Sequence, residues 1–125
     1  MEMLLISNDA VLALHEAILN PNELAGFAGD KSLDATLGRV MNRLQYGLIE
    51  DVFDLAATYA QVLAVGYVFN DGNKRAAFTV MDICLVQNGI EPNYDVIEAA
   101  DVIIQLAQRK LDEQQLAQWL RQRCR

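Results

Sequence analysis

The sequence predicts an all-α fold, and three observations point there. Apolar residues recur at helical spacing along nearly the whole chain, not in strict alternation. Only two prolines and seven glycines occur in 125 residues, too few turn formers for a sandwich or barrel. Ser7, Ser32, Asp95 and Asp112 each stand just ahead of an apolar-periodic run, where a helix N-cap belongs. The length suits one continuous core, and no repeat, linker or low-complexity tract divides it, so residues 1–125 are expected to form one domain.

Ser7 opens a first helix to about Leu19, its face built from Val11, Leu12, Leu14, Ile18 and Leu19, and Asn20-Pro21-Asn22 stops it. Residues 21 to 31, with Gly26, Gly29 and Asp30, read as an irregular loop. Ser32 caps a second helix to about Gln45, carrying Leu33, Leu37, Val40, Met41 and Leu44, and Tyr46-Gly47 breaks it. A third helix spans about Val52 to Phe69 and a fourth about Asn73 to Asn88, with Gly89 as its stop. Both are apolar nearly all round, which assigns them to the middle of a bundle. Asp95-Val96-Ile97-Glu98 and Asp112-Glu113-Gln114-Gln115 match capping boxes. The first opens a helix to about Lys110, and the second opens a last helix through Leu116 and Leu120. The basic tail Arg121-Gln122-Arg123-Cys124-Arg125 reads as a solvated helix end.

Ten Lys+Arg against seventeen Asp+Glu give a net charge of −7, the wrong sign for a duplex-binding protein. Direct nucleic-acid binding is therefore not expected. Asp54, Gln61 and Asp82 interrupt any apolar run long enough to cross a membrane. Cys84 and Cys124 fit neither a CxxC pair nor a disulfide framework, Cys84 lies in an apolar run, and a reducing, cytoplasmic setting is expected. The N-terminus lacks the pattern of a secretory signal. His15 is the only histidine, which disfavours a His-rich zinc site, and its apolar neighbours suggest a structural role.

Between the two most apolar helices lies a polar island, Asn70-Asp71-Gly72-Asn73-Lys74-Arg75. It starts the fourth helix, whose N-terminus presents free N–H groups and a partial positive charge. Lys74 and Arg75 add full charges there, and first-turn cations are misplaced unless an anion offsets them. Gly72 permits a backbone in which successive N–H groups converge on an anion. Local physics leaves two readings open: a turn with Asn73 as cap, or a phosphate-sized anion site. Asp71 is either a cap or a Mg²⁺-ligating carboxylate, since Mg²⁺ takes one or two carboxylates plus phosphate oxygens.

Tyr67-Val68-Phe69-Asn70-Asp71-Gly72-Asn73-Lys74-Arg75 resembles the Fic/Doc family signature H-x-F-x-[DN]-G-N-K-R, agreeing at every constrained position but the first. Leu14-His15, the Gly-rich loop, Leu33-Asp34-Ala35-Thr36-Leu37 and Ala56-Ala57-Thr58-Tyr59 extend the resemblance over nearly the whole chain, and the length suits the compact Doc branch. The resemblance implies a six-helix bundle. It implies a toxin of a toxin–antitoxin system, a kinase that moves the ATP γ-phosphoryl group to a threonine of elongation factor Tu and arrests translation. Classical Fic enzymes transfer AMP instead and have a second glycine where this chain has Lys74. A lysine there favours the reversed nucleotide pose that presents the γ-phosphate. By motif position Asp71 would hold Mg²⁺, and Asn70, Gly72 and Asn73 would line the phosphates. Lys74 and Arg75 would neutralise transferring charge, and Phe69 would anchor the loop.

Tyr67 stands where the signature has its general-base histidine. The reference pKa of a phenol is ~10 against ~6.5 for imidazole, so a phenol is a poor proton acceptor at neutral pH. Losing a general base removes ~10²–10⁴-fold in rate. The resemblance therefore implies a chain that folds and binds but transfers weakly or not at all. A Fic-type adenylyltransferase and a non-catalytic antitoxin-binding homologue are the alternatives. The inhibitory [ST]xxxE[GN] segment of many Fic proteins is absent, which points to inhibition from another chain, a Phd-like antitoxin. Its expected footprint is the exposed part of the first helix and the Asn22–Lys31 loop.

Overall fold

The computed structural model describes residues 2–124, so Met1 and Arg125 lie outside the described residues. Six helices follow in order: α1 (Asn8–Ile18), α2 (Leu33–Gln45), α3 (Val52–Gly66), α4 (Asn73–Gln87), α5 (Val96–Ala107) and α6 (Glu113–Arg123). No strand occurs among the described residues, only one isolated antiparallel bridge between Phe27 and Phe69. Among the described residues no helix is long and apolar enough to cross a membrane.

The sequence explains the centre. α3 packs against α2, α4, α5 and α6, and its residues from Leu55 to Ala60 are buried without interruption. Ala56, Ala57, Ala60 and Ala64 are fully buried and small, which lets the neighbouring helices approach closely. Leu55 and Leu63 fill the remaining space, each burial contributing about 1.5–3 kcal/mol. The one hydroxyl of this stretch that needs a local partner, Thr58, donates to the Asp54 carbonyl at 2.7 Å. α4 departs from the expectation of an all-round buried helix. Ala76, Ala77, Val80, Met81, Cys84 and Leu85 face inward, while Lys74, Arg75 and Val86 are exposed.

The element ends carry the other corrections. α3 stops at Gly66, not Phe69, because Tyr67 takes a left-handed backbone with φ 48°. α5 stops at Ala107 because Arg109 does the same at φ 60°, after which Lys110 N–H bonds back to the Gln105 carbonyl. The Asp112 capping box forms in both directions. At Asp95 only half forms, since Glu98 instead accepts from Trp119 Nε1 at 3.1 Å and pairs with Arg123.

The C-terminal segment is docked, not solvated. Arg121 bridges Asp51 and Asp54 at the start of α3, at 3.0 and 2.7 Å, bringing cations at one helix end to carboxylates at another helix start. Burial alone would raise the Asp51 carboxyl, but the Arg121 and Asp54 hydrogen bonds outweigh it and hold it below the ordinary aspartate value. Cys124 is buried, and burial pushes the Cys84 thiol up to about 12, so neither cysteine presents a ready thiolate.

Candidate active site

The polar island sits where α3 hands over to α4. Left-handed backbone costs a non-glycine residue about 1–2 kcal/mol, and Tyr67 adopts it between two braces. Lys31 Nζ donates to the Gly66 carbonyl at 3.2 Å. Beyond it, the α1–α2 loop runs antiparallel to residues 68–70, with Ala28 N–H to the Val68 carbonyl at 2.9 Å and Asn70 N–H to the Gly26 carbonyl at 3.0 Å. Phe69 is buried as expected, stacked between His15 and Phe27. Tyr67 itself is 47% exposed, and its hydroxyl has no partner among the described residues.

Two asparagines assigned to the phosphates spend their side chains on the loop itself. Asn73 Oδ1 accepts from Phe69 N–H at 3.0 Å and its Nδ2 donates to the Phe69 carbonyl at 2.9 Å, clipping the turn shut. Asn70 Nδ2 donates to the Ala25 carbonyl at 3.1 Å. Asn73 is not the helix cap either. Gly72 holds that place at φ +78° and has no side chain to supply the bond. The consequence is a row of unclaimed donors. Among the described residues no acceptor takes the backbone N–H of Asp71, Gly72, Asn73, Lys74 or Arg75.

The two cations of this turn are treated differently. Arg75 is already partnered: it donates to the Ile18 carbonyl at 3.1 Å and to both Glu23 oxygens, at 2.8 and 3.3 Å. The hydrogen bond from Arg75 holds the Glu23 carboxyl below its ordinary range, and Glu23 raises the guanidinium in return. Lys74 is exposed and has no carboxylate partner among the described residues. Asp71 Oδ2 accepts from Leu24 N–H at 2.8 Å, while Oδ1 has no partner among the described residues. No group of three or more His, Cys, Asp or Glu that could hold a metal occurs among the described residues. The chemistry of the donors still fits Mg²⁺, for which a single carboxylate suffices when phosphate oxygens complete the shell. Beside the cradle an apolar cleft of about 290 Å³ opens between α4 and α5, lined by Lys74, Arg75, Phe78, Val96, Ile103 and Ile104 among others.

His15 lies under this loop. It is 1% exposed, and its Nε2 is 2.6 Å from the Asp71 carbonyl oxygen. The expected structural role thus has a definite partner. A family model described as Fic/DOC family matches residues 5–85, from ahead of α1 to near the end of α4. The chain belongs to the Fic/Doc family. It is 35% identical over 117 residues to the protein kinase Doc of Escherichia phage P1, covering 93% of this chain and 92% of that protein. The family match spans the α3–α4 turn and every residue that braces it, and stops short of the α5 wall of the cleft.

The geometry also brings to the candidate site residues that sequence reasoning did not place there: Glu23, Leu24, Gly26 and Lys31, all from the α1–α2 loop. One signal was present. A guanidinium in the first turn of α4 required an anion, and Glu23 is that anion. The other contacts run through backbone atoms, which leave no mark in side-chain identity.

Proposed function

We propose that this chain is a Doc-type toxin, a protein kinase built on the Fic/Doc fold that binds ATP·Mg²⁺ through the α3–α4 turn and directs the γ-phosphoryl group to a threonine of elongation factor Tu. The N–H groups of residues 71–75, unclaimed among the described residues, and the exposed Lys74 beside them carry the reading. Fixed donors that face developing negative charge stabilise phosphoryl transfer without reorganisation. Lys74 supplies the full charge at the transferring group. Asp71, with Oδ1 free, would hold Mg²⁺, which when bound neutralises phosphate charge. Arg75 contributes to the nucleotide once its donors are released from Glu23. The apolar walls between α4 and α5 offer cover for the nucleoside.

The threonine oxygen bonds to the γ-phosphorus, the bond to the ADP oxygen breaks, and the threonine proton must go to a base. Tyr67 stands at the base's position, and a phenol accepts that proton poorly at neutral pH. His15 cannot take its place, being buried and engaged with the Asp71 carbonyl. This pair of observations favours a second reading, a non-catalytic homologue whose task is to bind a Phd-like antitoxin. The exposed Leu24 and Phe27 of the α1–α2 loop and the apolar cleft of Leu5, Leu14 and Ile83 beside α1 support such a docking surface.

The test is label transfer with Tyr67→His. The kinase reading expects label from γ-labelled ATP on elongation factor Tu. Label from α-labelled ATP would instead identify an adenylyltransferase. A folded Tyr67→His protein that transfers neither label, is not toxic and still binds the antitoxin would leave the non-catalytic reading.

A further inference from the structure

We infer that His15 is a positioning residue for the phosphate cradle: its Nε2–H locks the Asp71–Gly72 peptide so that the Gly72 N–H faces the ligand. This deepens the reading above and rests on it. The Asp71 carbonyl can only accept, so the proton of the 2.6 Å contact resides on Nε2. In a trans, planar peptide the N–H points opposite to the C=O. The Asp71 carbonyl points toward buried His15, and the Gly72 N–H therefore points away from α1, into the open side of the turn.

Nothing in the turn itself enforces that choice. Flipping the peptide changes ψ of Asp71 and φ of Gly72 together, and glycine populates both signs of φ at similar cost. Gly72 is at φ +78° with no side chain to bias it. The lock must come from outside, and the imidazole is suited to it. The ring lies flat on Phe69, centroids 3.6 Å apart and planes 6° apart, which fixes where Nε2 points. It also packs directly under the glycine: a Cβ at residue 72 would stand 3.5 Å from Nε2 and 3.4 Å from Leu19 Cδ2.

The experiment uses ¹⁵N-labelled full-length protein and two substitutions. His15→Phe keeps the stacked ring and removes the donor. His15→Gln keeps a donor at similar reach and removes the ring. The expected results are a Gly72 amide that exchanges with solvent about tenfold more slowly in His15→Phe, and ATP·Mg²⁺ affinity about tenfold weaker, the scale of one lost hydrogen bond. His15→Gln should restore both to within about threefold. Gly72 exchange unchanged in His15→Phe, or equal changes in the two variants, would overturn the inference. A variant-free check is the imidazole ¹⁵N spectrum of the parent, where a proton on Nδ1 instead of Nε2 also overturns it. Exchange is read without nucleotide. A parent that binds no ATP·Mg²⁺ would therefore sink the phosphate-site reading, while the orientation of the peptide is still decided.

Discussion

Five helix starts in this protein are built one way and the sixth another. At α1, α2, α3, α5 and α6 a side chain from Ser7, Ser32, Asp51, Asp95 or Asp112 accepts from a first-turn N–H. At α4 the cap is Gly72, no side chain closes the turn, and the first turn carries cations where the others carry acids. A cap contributes about 0.5–2 kcal/mol, and a first-turn charge of the right sign about 0.3–1 kcal/mol. The α4 start therefore forgoes stability that the fold obtains everywhere else. The donors left open are those an anionic ligand would use, which is the contrast the proposed phosphate site predicts.

The sharpest way to test that contrast is catalytic. Tyr67→His should raise γ-phosphoryl transfer by ~10²–10⁴-fold, the usual contribution of a general base, measured with γ-labelled ATP. Its backbone cost should be small, because histidine is enriched in the left-handed region that residue 67 occupies. Next in size is Gly72→Ser, which offers α4 the kind of cap the other helices have. At φ +78° it should instead lower stability by about 1–2 kcal/mol in denaturant unfolding, and weaken ATP·Mg²⁺ binding. A stabilised Gly72→Ser would mean that α4 is merely an uncapped helix. Asp112→Ala, at an ordinary start, should cost about 1 kcal/mol and leave nucleotide affinity unchanged.

Lys74→Ala should separate the two kinds of helix start by sign. Removing a first-turn cation should stabilise the free protein by about 0.3–1 kcal/mol while weakening ATP·Mg²⁺ binding, read by calorimetry and thermal unfolding. The smallest effect concerns acid. The Asp51 carboxyl lies below its unfolded value, so its contribution is present above that value and is lost as pH falls through the lower, folded one. The thermal midpoint of the parent should decline in that acid window, and Asp51→Asn should flatten the decline.

Much of this was legible in the residues. Helix starts at Ser7, Ser32 and Asp112 could be read because a cap is a local bond between near neighbours in sequence. The Fic/Doc membership could be read because Asp71 to Arg75 form an uninterrupted run. The end of α3 could not. Val68 and Phe69 continue its apolar pattern, and only the backbone of Tyr67 breaks it. The docked tail was misread because the carboxylates that receive Arg121 are remote from it in sequence, at the cap and first turn of α3.

Composition, periodicity and local cap residues determined that this chain is helical, about where its helices begin, and that one polar corner among apolar segments differs from the rest. Those are properties of neighbours along the chain. Tertiary structure decided which donors in that corner stay open. It gave Arg75 to Glu23 and the Asp71 carbonyl to His15, and among the described residues left Lys74 and the five amides unclaimed. Partners drawn from α1 and the loop after it fix those assignments, and hydrogen-bond satisfaction is settled by distance in space, which sequence separation does not encode.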